Sequence, residues 1–248
     1  MFDIPYGPDP LQSLDLFLPA APTAAPMVLF IHGGGWSAGD KWRDVAAGDR
    51  LTREGFVTAL ANYRLSPAVQ HPTHAQDVAR AVAWCRRHGP QYGANPERLY
   101  LMGHSSGAHL VASVALDRSY LAAEGLDRAV VQGVIGIAGV SYDLDAAYAM
   151  SWLAPCLIPA FGPDCWRWAD AAPVRHVHPH APPFLLIHGL ADREAPPSST
   201  EAFATALEQA GVPTELALLP GEDHTSVMVA AAPLVLGFLR RLPTAQRH

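Results

Sequence analysis

Short apolar runs alternate with longer stretches of helical period along almost the whole chain, and few architectures accept that pattern. Strands are expected over residues 14–18, 27–32, 56–61, 98–103, 131–138, 184–188 and 215–219. Helices are expected over 42–54, 74–88, 106–116, 198–210 and 225–241, with Gly211 and Pro213 ending the fourth. Several strand candidates are apolar at every position, as strands covered on both faces must be. The pattern describes an α/β fold, a mostly parallel central sheet joined by crossover helices. At 248 residues, half of them hydrophobic, the chain is expected to form one such domain over 1–248.

One stretch breaks the alternation. Residues 139–183 hold no clear strand, several prolines, and the aromatics Trp152, Phe161, Trp166 and Trp168. Such bulky apolar side chains argue against disorder. The segment therefore reads as a lid or pocket wall inserted in the domain.

A net charge of −6 without any long run of Lys or Arg argues against nucleic acid or an anionic membrane surface as the main partner. No apolar stretch approaches the ~20 residues of a membrane span. The start, Met1-Phe2-Asp3-Ile4-Pro5, has neither a basic nor an apolar signal region, so no secretion signal is expected. Cys85, Cys156 and Cys165 are too few for a disulfide framework, and reduced thiols in the cytoplasm are the expectation. Whether Cys156 and Cys165 pair is left open. Nothing in the chain sets an oligomeric state.

The chemistry gathers at strand ends. Gly103-His104-Ser105-Ser106-Gly107 follows an expected strand and opens an expected helix. A sharp strand-to-helix turn forces strained backbone angles on its central residue and leaves no room for flanking side chains. Such a turn would lift the Ser105 hydroxyl above the sheet and aim helix N–H groups at developing negative charge. His32-Gly33-Gly34-Gly35-Trp36 ends another expected strand, and its glycines offer N–H groups that no Cβ obstructs. A phosphate loop or a plain turn would look similar. However, the chain has no G-x-x-x-x-G-K-[ST] pattern and no dinucleotide fingerprint, so no cofactor is expected.

A serine hydroxyl is a poor nucleophile until a base takes its proton, and that base needs an orienting acid. Of the twelve histidines, His224 follows the last expected strand, where a loop can reach back over the sheet. Asp192 follows the strand before it. The order Ser105, Asp192, His224 is the one this architecture uses. Asp143, Asp145 and Asp223 are rival acids, but Asp223 adjoins His224, and adjacent side chains in an extended loop point apart.

On these residues the sequence resembles the esterase/lipase branch of the α/β-hydrolase fold that carries an HGG-type oxyanion motif. That branch includes hormone-sensitive-lipase-like, kynurenine-formamidase-like and feruloyl-esterase-like enzymes. The likeness runs from Val28 to about Leu239 and takes in Asn62-Tyr63-Arg64-Leu65 and Asp77. It implies Ser105 as nucleophile, Asp192 as acid and His224 as base. It also implies the N–H groups of Gly34, Gly35 and Ser106 as oxyanion donors, with His32 bracing the glycine loop. Two departures stand out. Only 31 residues precede His32, too few for a helical cap, so an open site roofed mainly by 139–183 is expected. Gly35-Trp36 also fits both the HGGG and the HGG-x-W patterns, which leaves esters and aryl formamides equally open.

Trp36, His104, Trp152 and Trp166 are candidates to line a substrate pocket, although the tryptophans could equally pack the insertion onto the sheet. His188 could touch the site or be an ordinary hydrogen-bonded strand-end histidine. His176, His178 and His180 form an H-x-H-x-H series, but Pro179 interrupts it and no acid or thiol completes a shell, so no metal is expected. The expectation is a cofactor-free serine hydrolase that cleaves carboxylic esters of small acyl or aryl groups through an acyl-enzyme, with an arylformamidase as the alternative and a non-catalytic binding module as the rival class.

Overall fold

The structure is a computed structural model and describes residues 1–148 and 153–242. Its sheet holds β1 (Ile4–Pro5), β2 (Ser13–Phe17), β3 (Ala25–Ile31), β4 (Val57–Ala61), β5 (Ala94–His104), β6 (Val131–Ile137), β7 (Phe184–Gly189) and β8 (Thr214–Leu219). They lie in the order β1-β2-β4-β3-β5-β6-β7-β8. β2 runs antiparallel to both of its neighbours, and every other pair is parallel. The helices are α1 (Val45–Arg53), α2 (Thr73–His88), α3 (Ser106–Leu116), α4 (Arg118–Ala123), α5 (Leu144–Tyr148), α6 (Ala154–Phe161), α7 (Pro197–Gln209), α8 (Val227–Ala230) and α9 (Ala232–Arg241).

Successive side chains of a strand point to opposite faces, so one central strand feeds two cores. Val28 and Phe30 of β3 pack with Leu51 of α1 and Phe238 and Leu239 of α9. Met27, Leu29 and Ile31 pack on the other face with Val78 and Val82 of α2 and Val111 of α3. All five β3 residues are buried, which is why this strand shows no polar alternation.

The chain leaves β3 toward β4 on one side, and β5 lies against its other side. The direction in which the sheet grows reverses there. A crevice therefore opens beyond the carboxyl ends of β3 and β5, the usual ligand position in an open α/β sheet.

Several elements differ from expectation. The helix expected over 42–54 is a 3₁₀ turn (Lys41–Asp44) followed by α1. The helix expected over 225–241 divides at Ala231, because Pro233 has no N–H to continue the ladder. The 139–183 segment, expected to be irregular, builds α5, α6 and two 3₁₀ turns, Cys165–Asp170 and Pro173–His176. Neither β1 nor α4 was legible from period alone. Among the described residues no helix is long and apolar enough to cross a membrane.

Candidate active site

Ser105 stands between the end of β5 and the first residue of α3 at φ 53° and ψ −121°, a conformation side chains rarely adopt. Such strain survives only where the surroundings overdetermine it. Here the N–H of Ser105 donates to the carbonyl of Ile137 on β6 at 2.9 Å, and α3 packs tightly on the end of β3. A Cβ at Gly107 would come within 2.1 Å of the Ile31 carbonyl oxygen, so only glycine lets the helix approach so closely.

β7 and β8 supply the other two residues. The Ser105 hydroxyl lies 3.0 Å from His224 Nε2, and His224 Nδ1 donates to Asp192 Oδ2 at 2.7 Å. These contacts fix the imidazole tautomer, with Nε2 left as acceptor. Burial alone would raise the Asp192 carboxyl. Hydrogen bonds from His188, His224 and the Ala195 N–H outweigh it and hold the group well below the usual carboxylate range.

The glycine loop lies beside the serine, because β3 and β5 are neighbours with Ile31 opposite Gly103. Gly34 sits at φ 123°, where a Cβ would strike the Ala38 carbonyl at 2.1 Å. Among the described residues, the N–H groups of Gly34, Gly35 and Ser106 donate to no protein acceptor. His32 Nδ1 donates to the Gly33 carbonyl at 2.7 Å, and its ring stacks on Tyr63 with centroids 4.5 Å apart. Tyr63 in turn lies 3.4 Å from the Ser106 hydroxyl. The loop and the helix start are thus braced against each other.

His104 donates from Nε2 to the His224 carbonyl at 2.8 Å, its ring 4.8 Å from the His224 ring. Burial and the neighbouring His224 push it down to about 4. It is therefore neutral at pH 7 and holds the loop of the candidate base. His188 makes a contact that sequence reasoning left undecided. Its Nε2 reaches the same Asp192 Oδ2 at 3.1 Å, and its Nδ1 accepts from Thr200 at 2.7 Å. Asp192 therefore lies between two imidazoles.

A cavity of about 730 Å³ opens on Ser105 and His224. Its walls overturn part of the expected pocket. Trp36 does not line it; this side chain is 1% exposed and packs edge-on against His109 and Phe161. Its φ of 58° turns it away from the glycine loop and into the core beneath the insertion. His104 does line the cavity. Trp152 and the side chains of Trp166 and Cys165 lie outside the described residues, and Trp168 is buried. Among the described residues of the 139–183 segment, Cys156, a free thiol, lines the cavity. Trp152, expected in the roof, lies outside the described residues, so the expected roof is left to Cys156 there. Instead α1, α8 and α9 form the walls, and no periodicity marks residues that line a gap between helices. Asp44 also reaches this cavity, where burial pushes its carboxyl up to about 7.

The rival acids have other partners. Asp223 accepts from the N–H groups of Thr225 and Ser226 at 2.9 and 2.7 Å, and Asp143 caps α5 through Asp145 and Ala146. His176 Nε2 donates to the Asp170 carbonyl at 2.7 Å. The His178 and His180 rings lie 6.4 Å apart. Among the described residues no three His, Cys, Asp or Glu side chains converge as metal ligands.

A parallel sheet with a serine on the strained β5 turn, and with acid and histidine beyond β7 and β8, is the architecture of the α/β hydrolases. The chain belongs to the BD-FAE family, whose model matches residues 14–207. It is 33% identical over 247 residues to Esterase LipQ of Mycobacterium tuberculosis, covering 92% of this chain and 58% of that protein. It is 27% identical to the probable isoprenylcysteine alpha-carbonyl methylesterase ICMEL1 of Arabidopsis thaliana, covering 91% of this chain and 51% of that one. The chain thus spans little more than half the length of these relatives. Esterase B of Lactobacillus rhamnosis superposes with a TM-score of 0.83 at 25% identity, covering 98% of this chain and 85% of that chain.

Proposed function

We propose that this chain is a serine hydrolase that cleaves carboxylic esters through an acyl-enzyme. The observation that carries the reading is the unbroken contact series from Ser105 Oγ through His224 to Asp192. In the first step Ser105 Oγ bonds to the ester carbonyl carbon while His224 Nε2 accepts the hydroxyl proton. The oxyanion takes hydrogen bonds from Gly34, Gly35 and Ser106, whose unpaired N–H groups need no reorganisation to receive it. Collapse breaks the bond to the alcohol oxygen, which takes the proton from His224. Water then repeats the sequence and frees the acid and the serine. Asp192 holds the imidazole and offsets its charge.

The relatives are named esterases, and nothing in the site or among them supports the arylformamidase alternative over an ester. Free thiols at Cys85 and Cys156 agree with a cytoplasmic location, which is part of the same proposal. Ser105→Ala tests the function. Ester hydrolysis and fluorophosphonate labelling should both disappear while the thermal midpoint stays close to wild type. Background of about 10³–10⁴-fold over water is compatible with the remaining oxyanion donors. Turnover within a few-fold of wild type would remove Ser105 as nucleophile.

A further inference from the structure

The cavity on Ser105, about 730 Å³, is larger than the small groups of an acetate ester require. One wall is α1, through Ala47 and Leu51; the other is the α8–α9 pair, through Met228, Ala232 and Val235. Met102, three residues before Ser105, lies at the floor. Of the apolar lining residues, Leu51, Met102 and Val235 are buried, whereas Val229 is 73% exposed. Of the charged residues that line the cavity, Arg43, Arg50 and Glu194 are exposed, and Asp44, just before α1, is half-buried. The interior is thus a largely apolar slot, with exposed charges around it and the small side chains of Ala47 and Ala232 on its two walls.

We propose that this slot is an acyl site, and that the enzyme prefers esters of unbranched fatty acids of medium to long chain over acetate esters. The proposal rests on the serine-hydrolase reading above and names its substrate class. The assignment to the acyl side follows from the order of events. The alcohol must leave past His224 Nε2 and be replaced there by water, so its position has to open to solvent. The acyl group stays bonded to Ser105 until water arrives, and a largely apolar slot opening on that serine can hold it throughout. An unbranched chain suits a gap between two helix faces whose buried residues, Leu51, Met102 and Val235, are apolar.

Burying each further methylene should raise kcat/KM by about threefold to fourfold until the slot is full. With p-nitrophenyl acetate, butyrate and octanoate, the octanoate should exceed the acetate by roughly a hundredfold or more. Ethyl, butyl and octyl acetate should show no comparable rise. Ala47→Phe and Ala232→Phe each fill the slot from opposite walls and should lower the octanoate-to-acetate ratio at least about tenfold. Ala146→Phe, beside a different hollow near α5, should leave the ratio unchanged. Stoichiometric fluorophosphonate labelling shows that each variant has folded, and if one has not, the variant on the other wall decides. A flat acyl series, a rise confined to the alkyl acetates, or an unchanged ratio in a folded slot variant would each overturn the proposal. Failure of wild type to hydrolyse any ester or to take the label would instead overturn the hydrolase reading.

Discussion

Asp192 accepts four hydrogen bonds. Oδ1 takes the N–H groups of Glu194 and Ala195 at 2.8 and 2.9 Å, and Oδ2 takes His224 and His188 at 2.7 and 3.1 Å. An amide has only one oxygen, so Asp192→Asn must turn an NH₂ toward two donors on one side or the other. If the NH₂ faces His224, the imidazole is driven into the wrong tautomer, a change that lowers kcat ~10⁴-fold in a related constellation. We expect a loss of that order in kcat with little change in KM, measured by steady-state kinetics. The thermal midpoint should fall as well, since a buried donor loses its acceptor. Asp223→Asn and Asp143→Asn replace residues that hold the turn before α8 and the start of α5, and both should keep most activity. A crippled Asp223→Asn beside a nearly normal Asp192→Asn would move the acid to the other loop. Ser105, Asp192 and His224 were legible because each follows an expected strand. His188 was not, because strand-end position alone cannot tell which of its neighbours an imidazole meets.

At the level of elements, the α2 helix is tied to the loop after β4. Asp77, 1% exposed, accepts from Arg64 Nε and Nη2 at 2.8 and 2.6 Å, from the Arg64 N–H at 3.0 Å and from Gln12 Nε2 at 2.6 Å. One carboxylate thereby joins α2, the segment before β2 and the loop that carries Tyr63 under the glycine motif. Arg64→Ala leaves that charge buried with only neutral donors and should destabilise the fold by about 3 kcal/mol, read from denaturant titration. An effect below ~1 kcal/mol would show that the loop is held by packing instead. Arg64 and Asp77 could be marked in the sequence by resemblance, but the ion pair between them could not. Helix ends were likewise blurred where tertiary context decided them: Pro233 interrupts the last helical run, and Asp40 caps the turn over Lys41–Asp44 through the Trp42 N–H.

The molecule as a whole buries neutral histidines. His74 and His109 are each 1% exposed, and burial pushes them down to about 4 and about 3. The unfolded chain binds protons at these positions below about pH 6.5, while the folded chain does not until pH 4 or 3. Stability is therefore fully present above that window and is lost as pH falls through it. At pH 5 the loss is roughly 2 kcal/mol for each histidine. Thermal midpoints measured from pH 7.5 to 4.5 should fall steeply. His109→Gln, which can keep the bond to the Ser141 carbonyl, should flatten the decline, and an unaltered slope would deny His109 this role.

The alternation of apolar runs was enough to define a parallel sheet, since a strand covered on both faces must be apolar throughout, and the glycine-flanked serine had to lie at a strand end because only a sharp turn needs such neighbours. These are local requirements, and local sequence carries them. Which helices wall the cavity, where Trp36 points and which imidazoles share Asp192 depend on elements far apart in the chain meeting across the sheet. α1 and α9 face each other only because β4 and β5 lie on opposite sides of β3, and a gap between two helices leaves no period in either one.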